Sequence, residues 1–441
     1  MSNPTESRPI VDSNPTSANA GKYQEDRRDF IRGSGLMIAG GAIAGASAAT
    51  KAIASSKQSK LRIAMVGCGR RCRQLLDAMA SLDDDAIEIT ALVDNNRGRA
   101  QSVFRSIKSR HPERLADHCN LLTSGGSIRQ PLLPHQALQD VDVVFITTPP
   151  VCQPGIAVDA ITNHKHVFIE KPMAADLNGL KQVVNASAVA KEQGLTVHVG
   201  FQRQYDQRDL DLIAQVQQGG IGDIIYAKSY CNSGSLKKHV ARSEKEQLAH
   251  WNQFNWTGGD VLLEQHVAGL DVLRRVIGRP LLTAQGQAGW ASLSDAELAN
   301  QQNAVQPSGH QQAGELAFQH QSIEFEFADH VSLISHTRRA ANSWQRTGEW
   351  LYGTQGHADF SNGKLFDRSG NVTWQSAEPS ASMVATQAQL RAFFASIRHG
   401  DAENQVDQAS ESTLMALLGQ RAAQTSKLAR MKSLRGELKL A

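Results

Sequence analysis

One lysine of this sequence has a position that suits proton chemistry. Lys171 follows an apolar segment, residues 166–170, whose composition predicts a buried strand. In an open α/β sheet the carboxyl ends of the strands border the ligand crevice, so we expect the lysine there. Its ammonium group can hydrogen-bond a substrate hydroxyl and stabilise the alkoxide that develops during oxidation. The alternative is an ordinary surface ion pair with Glu170.

A glycine-rich turn earlier in the chain predicts a phosphate-binding site. The apolar run 61–66 leads into Gly67-Cys68-Gly69, and a helical pattern begins at Arg70 and Arg71. Gly67 permits a sharp turn, and Gly69 permits a pyrophosphate to approach the backbone at the helix N-terminus. The third small residue of such a motif is here Cys72. We expect Arg70 and Arg71 to contribute to cofactor binding.

An aspartate completes the pattern of a dinucleotide site. Asp94 ends the strand that follows the first helix, where a carboxylate accepts hydrogen bonds from both ribose hydroxyls. This position favours NAD, although Arg97 and Arg99 leave NADP possible. Thr148 and Pro149, together with Glu170 and Lys171, follow later strands and are further expected cofactor contacts. The alternative is an ordinary glycine-rich turn between a strand and a helix.

The rhythm of apolar segments divides the chain. From residue 59 to 203, short apolar runs alternate with helical stretches, which predicts parallel strands joined by right-handed crossovers. From residue 204 to 441 the strands are longer and partly alternating. We therefore expect a doubly wound Rossmann domain and then an α+β domain with an open, mainly antiparallel sheet. A Gln- and Ala-rich stretch near 295–313 reads as a surface insertion.

Residues 1–54 have the character of a leader. Arg27 and Arg28 precede a Gly- and Ala-rich apolar segment, which resembles a twin-arginine export signal. The resemblance implies the twin-arginine translocation machinery as a partner and a periplasmic or otherwise exported protein. Because this route carries folded proteins, the cofactor would be loaded before export. A disordered tail with chance arginines is the alternative.

Composition excludes several classes of function. The chain of 441 residues is 41% hydrophobic and 20% charged, which is typical of a soluble globular protein of two domains. A net charge of +3 without a basic stripe argues against nucleic acid as the main partner. The mature region has no apolar run long enough to span a membrane and no metal-ligand spacing. Five scattered cysteines do not suggest a disulfide framework.

Taken together, the sequence resembles the Gfo/Idh/MocA family, the relatives of glucose-fructose oxidoreductase and inositol dehydrogenase. The resemblance covers essentially the whole mature chain, and its most specific motif is Glu170-Lys171-Pro172. The other matching segments are Val66–Gly69, Asp94, Thr147–Pro149, Gly200–Gln202, Gly258-Gly259 leading to Asp271, and Gly353–Gly356. It implies an NAD(P)-binding first domain, a second domain that presents a sugar or cyclitol, and assembly of homo-oligomers through the open sheet.

The resemblance also implies a second catalytic cluster with one member missing. The family's acidic residue, histidine and aspartate fall on Glu264, Ala268 and Asp271, so the histidine is absent. We expect Glu264 to act with Lys171 and Asp271 to contact substrate. His266 either lines the site or packs as a neutral core histidine; on a helix it points away from Glu264.

An aromatic segment precedes this cluster. Trp251 and Trp256 are interleaved with amides, which suits the apolar faces and hydroxyls of a sugar ring, although either tryptophan can instead be core. The sequence thus predicts an NAD(P)-dependent dehydrogenase that moves a hydride between a nicotinamide and a sugar, cyclitol or glycoside hydroxyl. The alternatives are an NAD-dependent glycosidase using transient oxidation and elimination, and a sugar-binding protein that has lost catalysis.

Overall fold

The fold is described from a computed structural model for residues 60–82, 86–128, 131–234, 243–290, 316–340 and 342–438. The predicted export signal in residues 1–54 and the predicted insertion at 295–313 lie outside the described residues. None of the described helices is long and apolar enough to cross a membrane.

The first half of the chain forms a parallel sheet because its apolar runs are buried on both faces. Its strands are β1 (Leu61–Val66), β2 (Ile87–Val93), β3 (Leu115–Leu122), β6 (Val143–Ile146), β7 (His166–Ile169) and β8 (Val197–Val199), while β4 (Gly125–Gly126) and β5 (Pro131–Leu132) form a small separate ribbon. The order is β3-β2-β1-β6-β7-β8, with every pair parallel. This is the order of a Rossmann fold, so the predicted first domain architecture is confirmed.

Five helices connect these strands. They are α1 (Arg70–Ala80), α2 (Arg97–Arg110), α3 (Gln136–Gln139), α4 (Gln153–Thr162) and α5 (Leu177–Glu192). Short 3-10 turns cover Pro112–Arg114 and Pro150–Cys152. The helical stretches of the sequence pattern predict four of the five helices, at 70–81, 97–108, 154–163 and 175–191. These ranges agree with α1, α2, α4 and α5 within three residues at each end.

The edge strand β3 is an element that the sequence pattern did not predict. Its segment Leu115–Leu122 contains Asp117, His118 and Asn120, and its side chains are exposed or only half-buried. An edge strand pairs on one side only and needs no continuous apolar run. A search for continuous apolar runs, which identifies the central strands, therefore does not identify β3.

The second half forms a mixed sheet of nine strands. These are β9 (Ile224–Ser233), β10 (Leu281–Gly289), β11 (His320–Phe327), β12 (Ser332–Arg339), β13 (Arg346–Gly353), β14 (Gly356–Asp359), β15 (Lys364–Asp367), β16 (Val372–Gln375) and β17 (Ala429–Arg430). The order is β16-β15-β14-β13-β9-β12-β11-β10-β17. β9 and β12 pair parallel and their neighbours pair antiparallel, so the predicted mainly antiparallel sheet is confirmed.

Helices cover one face of this sheet. The helices of this half are α6 (Gln207–Gln217), α7 (Glu244–Ala249), α8 (Asn255–Gly258), α9 (Val267–Ile277), α10 (Ser382–His399), α11 (Val406–Thr425) and α12 (Met431–Leu438). A π turn, Leu262–His266, leads directly into α9, and 3-10 turns cover Gln202–Tyr205, Trp251–Gln253 and Ala328–His330. Along β12 the odd-numbered residues Leu333 to Arg339 are buried, so they face the helices.

One late helix completes the core of the first sheet. Phe393 and Phe394 of α10 are buried against Phe145 of β6, and Phe393 also packs edge-on against Phe168 of β7. Aromatic rings whose centroids lie about 5–7 Å apart stabilise a core by more than the burial of their apolar surface alone. The Rossmann sheet is thus finished by a helix from the segment 204–441, while the predicted domain boundaries stay a prediction.

Candidate functional site

The turn after β1 has the shape that a dinucleotide pyrophosphate requires. Gly67 has φ +91°, and a Cβ there would lie 2.8 Å from the backbone of Thr147. Gly69 is the N-cap of α1, and a Cβ at this position would meet nothing within 4 Å. Glycine at position 67 is required by the protein's own backbone, whereas the space beside Gly69 is open. That space lies at a helix N-terminus, where backbone amides favour a negative charge.

Asp94 holds the turn from the next strand. Its carboxylate accepts hydrogen bonds from the backbone amides of Cys68 (2.8 Å) and Asn96 (2.7 Å). The aspartate is therefore fixed at the sheet edge directly behind the turn. Each carboxylate oxygen has a further lone-pair position, so hydrogen bonds to a ribose remain compatible with this arrangement.

Two predicted cofactor residues are joined by an ion pair. Arg71 Nε donates to Glu170 Oε1 at 2.6 Å and so links α1 to the end of β7. Gly200 makes room for the glutamate, since a Cβ there would lie 2.6 Å from the Glu170 carboxylate. Arg70, one residue earlier on α1, is exposed to solvent.

A buried glutamine ties together the ends of β6 and β7. Gln153 Nε2 donates to the carbonyl oxygens of Thr148 (3.3 Å) and Pro172 (3.2 Å). It therefore connects the Thr148-Pro149 turn to the Lys171-Pro172 segment, whose peptide bond is cis. The buried Gln153 Oε1 and Thr148 Oγ1 have no hydrogen-bond partner among the described residues.

The structure brings Lys171 and Glu264, two of the predicted catalytic residues, within hydrogen-bonding distance of each other. Lys171 Nζ donates to the backbone oxygen of Glu264 at 2.8 Å. The glutamate lies in the π turn Leu262–His266, and π turns are frequent at functional sites. Lys171 is half-buried and the Glu264 side chain is 18% exposed, so both border solvent.

An arginine that sequence reasoning missed supports this pair. Arg339, the last residue of β12, forms an ion pair with the Glu264 carboxylate and donates to the carbonyl of Asn252 at 2.9 Å. The inward register of the odd-numbered residues of β12 is a signal that could have found it. The sequence pattern predicts this strand at residues 331–337 and so stops two residues before Arg339.

His266 adopts the second of the two environments left open by the sequence. It is 2% exposed, and its Nε2 has no hydrogen-bond partner among the described residues. Burial, with smaller contributions from His336 and Arg203, lowers the pKa of His266 to about 3. A neutral imidazole inside the helix layer results, and a catalytic role for it stays a prediction that this burial does not favour.

Asp271 lies in the core beneath the cluster. It is fully buried, where it accepts from Ser412 Oγ (2.7 Å) and Gln204 Nε2 (3.1 Å) and lies 3.5 Å from Arg274. Its predicted contact with substrate is untested, and its bonds fix α9 against α11 and the 3-10 turn Gln202–Tyr205. Ala268 is half-buried on the same helix.

The two predicted substrate tryptophans differ in burial. Trp256 is buried, and its Nε1 donates to Gln247 Oε1 at 2.6 Å. Trp251 is half-buried and lies over Gly258, where a Cβ would be 2.7 Å from its ring. Trp251 therefore leaves part of its ring available to a ligand, and the structure gives Trp256 a core environment.

Other chemistry is not apparent at this site. The described residues contain no group of three or more His, Cys, Asp or Glu side chains that could hold a metal ion. All five cysteines are free thiols. Burial raises the pKa of Cys231, the thiol nearest this cluster, to about 11, so it is neutral at physiological pH.

The turn Gly67–Gly69, called here the pyrophosphate turn, and the first sheet have counterparts in known proteins. Residues 61–201 match the family model described as oxidoreductase family, NAD-binding Rossmann fold, of Gfo/Idh/MocA. This segment is similar to the NAD-binding Rossmann domains that the family model describes. The open space at Gly69, the α1 amides and the fixed carboxylate of Asp94 fit the cofactor of such a domain.

Relatives extend this likeness beyond the matched segment. The chain is 27% identical over 155 residues to scyllo-inositol 2-dehydrogenase (NAD(+)) of Bacillus subtilis (strain 168), which is 35% of this chain and 41% of the relative. It is 25% identical over 220 residues to a glycosyl hydrolase family 109 protein of Shewanella amazonensis, 46% of this chain and 45% of the relative. The chain thus spans about half the length of the curated relatives it matches.

Solved structures share the fold over a longer range. The scyllo-inositol dehydrogenase of Lactobacillus casei with bound NAD(H) and scyllo-inositol has a TM-score of 0.59 and 17% identity. The match covers 85% of this chain and 100% of that one. At this identity the likeness shows that both halves of the chain have the same fold as the inositol enzyme.

The two glycines of the turn after β1 allow a paired prediction. Gly69→Ala meets no protein atom, so we expect the free energy of unfolding to change by less than about 0.5 kcal/mol while the Kd for NAD rises about tenfold or more. Gly67→Ala places a Cβ on a backbone with φ +91° and 2.8 Å from the Thr147 backbone, so we expect the free energy of unfolding to fall by about 2 kcal/mol. Urea unfolding and NADH fluorescence titration measure both. Equal effects of the two variants on stability would contradict this assignment.

The buried imidazole predicts a pH dependence of stability. The unfolded chain protonates His266 near its ordinary pKa of 6.5, but the folded chain does so only near 3. The contribution of the neutral His266 to the free energy of unfolding is therefore fully present above pH 6.5. It falls as the pH drops toward 3, by up to about 1.4 kcal/mol per pH unit for this one proton. We expect His266→Gln to have a flatter curve of unfolding free energy against pH than the wild type. Parallel curves would show that the histidine is not buried in its neutral form.

Proposed function

We propose that this protein is an NAD(P)-dependent oxidoreductase that acts on a hydroxyl-bearing carbon of a sugar, cyclitol or glycoside. The observation that carries the proposal is the position of the Lys171 ammonium. It lies at the carboxyl end of β7, on the same sheet edge as the pyrophosphate turn, and it contacts Glu264 from the second half. In open α/β folds, cofactor and substrate meet at this edge.

The chain's own residues have separable tasks in this proposal. Lys171 donates a hydrogen bond to the substrate hydroxyl oxygen and stabilises its developing negative charge. Glu264, held in place by Arg339, accepts the proton that the reacting hydroxyl loses as the hydride leaves its carbon. The half-buried ring of Trp251 offers an apolar face against the sugar ring. These contacts orient the reacting carbon, on which the rate of transfer depends.

We assign the cofactor's contacts to the turn and its neighbours. The backbone at Gly67 and Gly69, with Arg70 and Arg71, holds the pyrophosphate, while Asp94 accepts from the ribose and favours NAD over NADP. The segments Thr148-Pro149 and Glu170-Lys171 border the nicotinamide. When bound, NAD supplies a hydride acceptor, which none of the protein's side chains can replace.

The proposed substrate class rests on the relatives and on the site. Inositol dehydrogenases in Bacillus subtilis and Lactobacillus casei act on polyhydroxylated rings, as their names state. A cluster of one cation, one carboxylate and one half-buried tryptophan suits such a ring, since each can serve a different hydroxyl or face.

A second candidate is an NAD-dependent glycosidase. The relatives named glycosyl hydrolase family 109 favour it, as does Ala268, because the missing histidine weakens the case for plain alcohol oxidation. Such an enzyme would oxidise the sugar, eliminate the aglycone and return the hydride, without net NADH. A third candidate, also motivated by Ala268, is a sugar-binding protein that has lost catalysis.

We also propose that the protein is exported to the periplasm by the twin-arginine machinery. The support is the sequence of the leader, in which Arg27 and Arg28 precede a Gly- and Ala-rich segment. The five free thiols fit folding in a reducing cytoplasm before export.

One experiment tests activity and export together. The full chain is expressed in a bacterium, the periplasmic fraction is purified, bound nucleotide is extracted, and inositols, hexoses and aryl glycosides are screened for NADH formation and aglycone release. We expect NAD to be recovered and at least one polyol to be oxidised. We expect Lys171→Met to lower kcat/KM by about 100-fold or more. Lys191→Met, at an exposed ion pair with Asp407, is the matched control and should keep wild-type activity.

The outcomes separate the candidates. Aglycone release without NADH would favour the glycosidase, and bound NAD without any turnover would favour the sugar-binding protein. A purified protein that neither contains nor binds NAD would overturn the first two candidates, and a protein found only in the cytoplasm would overturn export.

We propose that copies of the chain assemble through the outer face of the second sheet. Ile334 of β12 is 39% exposed there, beside Lys228 and Glu324 on the paired strands. Tyr226 and Tyr352 stack at 5.0 Å with Lys228 over their rings, which extends the apolar surface. An apolar and aromatic patch of this kind on a sheet marks an interaction surface.

This assembly predicts a change in mass. We expect the wild type to sediment as a dimer or larger species and Ile334→Glu to sediment at a lower mass, because a buried unpaired carboxylate opposes association. Val384→Glu, at an exposed position on α10, is the control and should leave the mass unchanged. A monomeric wild type in analytical ultracentrifugation would overturn the proposal.

A further inference from the structure

Arg339 is a buried charge whose position is fixed by its strand. It ends β12, where it pairs with Ser233 of β9, and its backbone amide donates to the Gln319 carbonyl at 2.7 Å. Only 6% of the residue is exposed. A guanidinium buried to this degree persists only when it is paired, so its partners show what it holds.

The two arms of Arg339 reach two different parts of the site. Its NH2 group pairs with the Glu264 carboxylate in the π turn, and its NH1 group donates to the Asn252 carbonyl in the aromatic segment 251–256. A guanidinium presents these donors in a rigid planar fork, whereas a lysine ammonium is a single point on a flexible stem. Arg339 therefore sets the distance between the glutamate and the aromatic segment.

Glu264 is held from two sides. Lys171 contacts its backbone oxygen, and Arg339 contacts the carboxylate through Oε2. The other oxygen, Oε1, has no hydrogen bond among the described residues, and the side chain remains partly exposed. One carboxylate oxygen is thus anchored, and the other has the capacity to accept a hydrogen bond from a ligand.

We propose that Arg339 is a positioning residue that aims the Glu264 carboxylate at the substrate and ties the Trp251–Trp256 segment to it. The inference rests on the proposed function, because it assigns Arg339 a part in the same oxidation. A positioning residue differs from a residue of a purely structural ion pair in one respect. Arg339 affects turnover only by orienting Glu264. Removing Glu264 must therefore remove most of the effect of Arg339 on kcat.

A double-mutant cycle tests this coupling. Arg339→Met, Arg339→Lys, Glu264→Gln and the double variant Glu264→Gln with Arg339→Met are compared with the wild type. The probe is whichever of myo-inositol, scyllo-inositol and glucose the wild type oxidises fastest. We expect Arg339→Met to lower kcat about tenfold or more and to raise KM, with Arg339→Lys intermediate. In the Glu264→Gln background the same change should lower kcat less than about threefold, because coupled residues are not additive.

Two controls isolate the site from the fold. NAD affinity should stay within about twofold, since Arg339 does not contact the pyrophosphate turn. Arg421→Met removes an exposed Arg–Glu pair with Glu437 and should keep wild-type kcat and KM. If Arg339→Met fails to fold, Arg339→Lys replaces it in the cycle.

Each remaining outcome is decisive. Wild-type kcat and KM in Arg339→Met, or equal losses of kcat with and without Glu264, would overturn the positioning role while leaving the proposed function in place. A wild type that binds NAD and oxidises none of the probes would overturn the proposed function, and this inference with it.

Discussion

The hydrogen bond from the Lys171 ammonium to the Glu264 carbonyl is the contact on which the candidate site depends. Lys171 follows β7 and so lies at the edge of the parallel sheet. Glu264 lies in the π turn that leads into α9, one of the helices that cover the second sheet, and the two residues are in contact. A carbonyl oxygen has two lone pairs, so it can accept this bond in addition to one from its own helix. The contact holds the end of β7 and the π turn Leu262–His266 at hydrogen-bonding distance.

Around this contact the charges alternate in sign. Arg71 pairs with Glu170, Lys171 contacts Glu264, and the glutamate pairs in turn with Arg339. Charges that are partly removed from water are costly unless each has a partner. The two arginines form ion pairs with the two glutamates, and the Lys171 ammonium donates to a carbonyl oxygen. The chain runs from the pyrophosphate turn to the aromatic segment, so the residues that hold the cofactor and those that face the substrate are positioned by the same set of contacts.

Sequence patterns predicted the local parts of this arrangement and missed the distant ones. Gly67, Gly69 and Asp94 are readable because strand, turn and helix impose their spacing within about 35 residues. The central strands are readable from their apolar runs. The edge strand β3 and the helix α10 were not, since the first has no continuous apolar face and the second is recognised only by the Phe145 and Phe168 rings that it covers. Arg339 belongs to the same class, because its partners Glu264 and Asn252 are 75 and 87 positions away.

The packing at the start of α9 accounts for the buried position of His266. Gly269 lies against the second sheet so closely that a Cβ would come 3.3 Å from Ser229 Oγ and closer still to the Glu349 carboxylate. The helix is therefore fixed in rotation, and His266 is directed into the buried layer, where burial lowers its pKa to about 3. Ala268 supplies no imidazole either, so the proposed proton chemistry falls to the lysine and the glutamate.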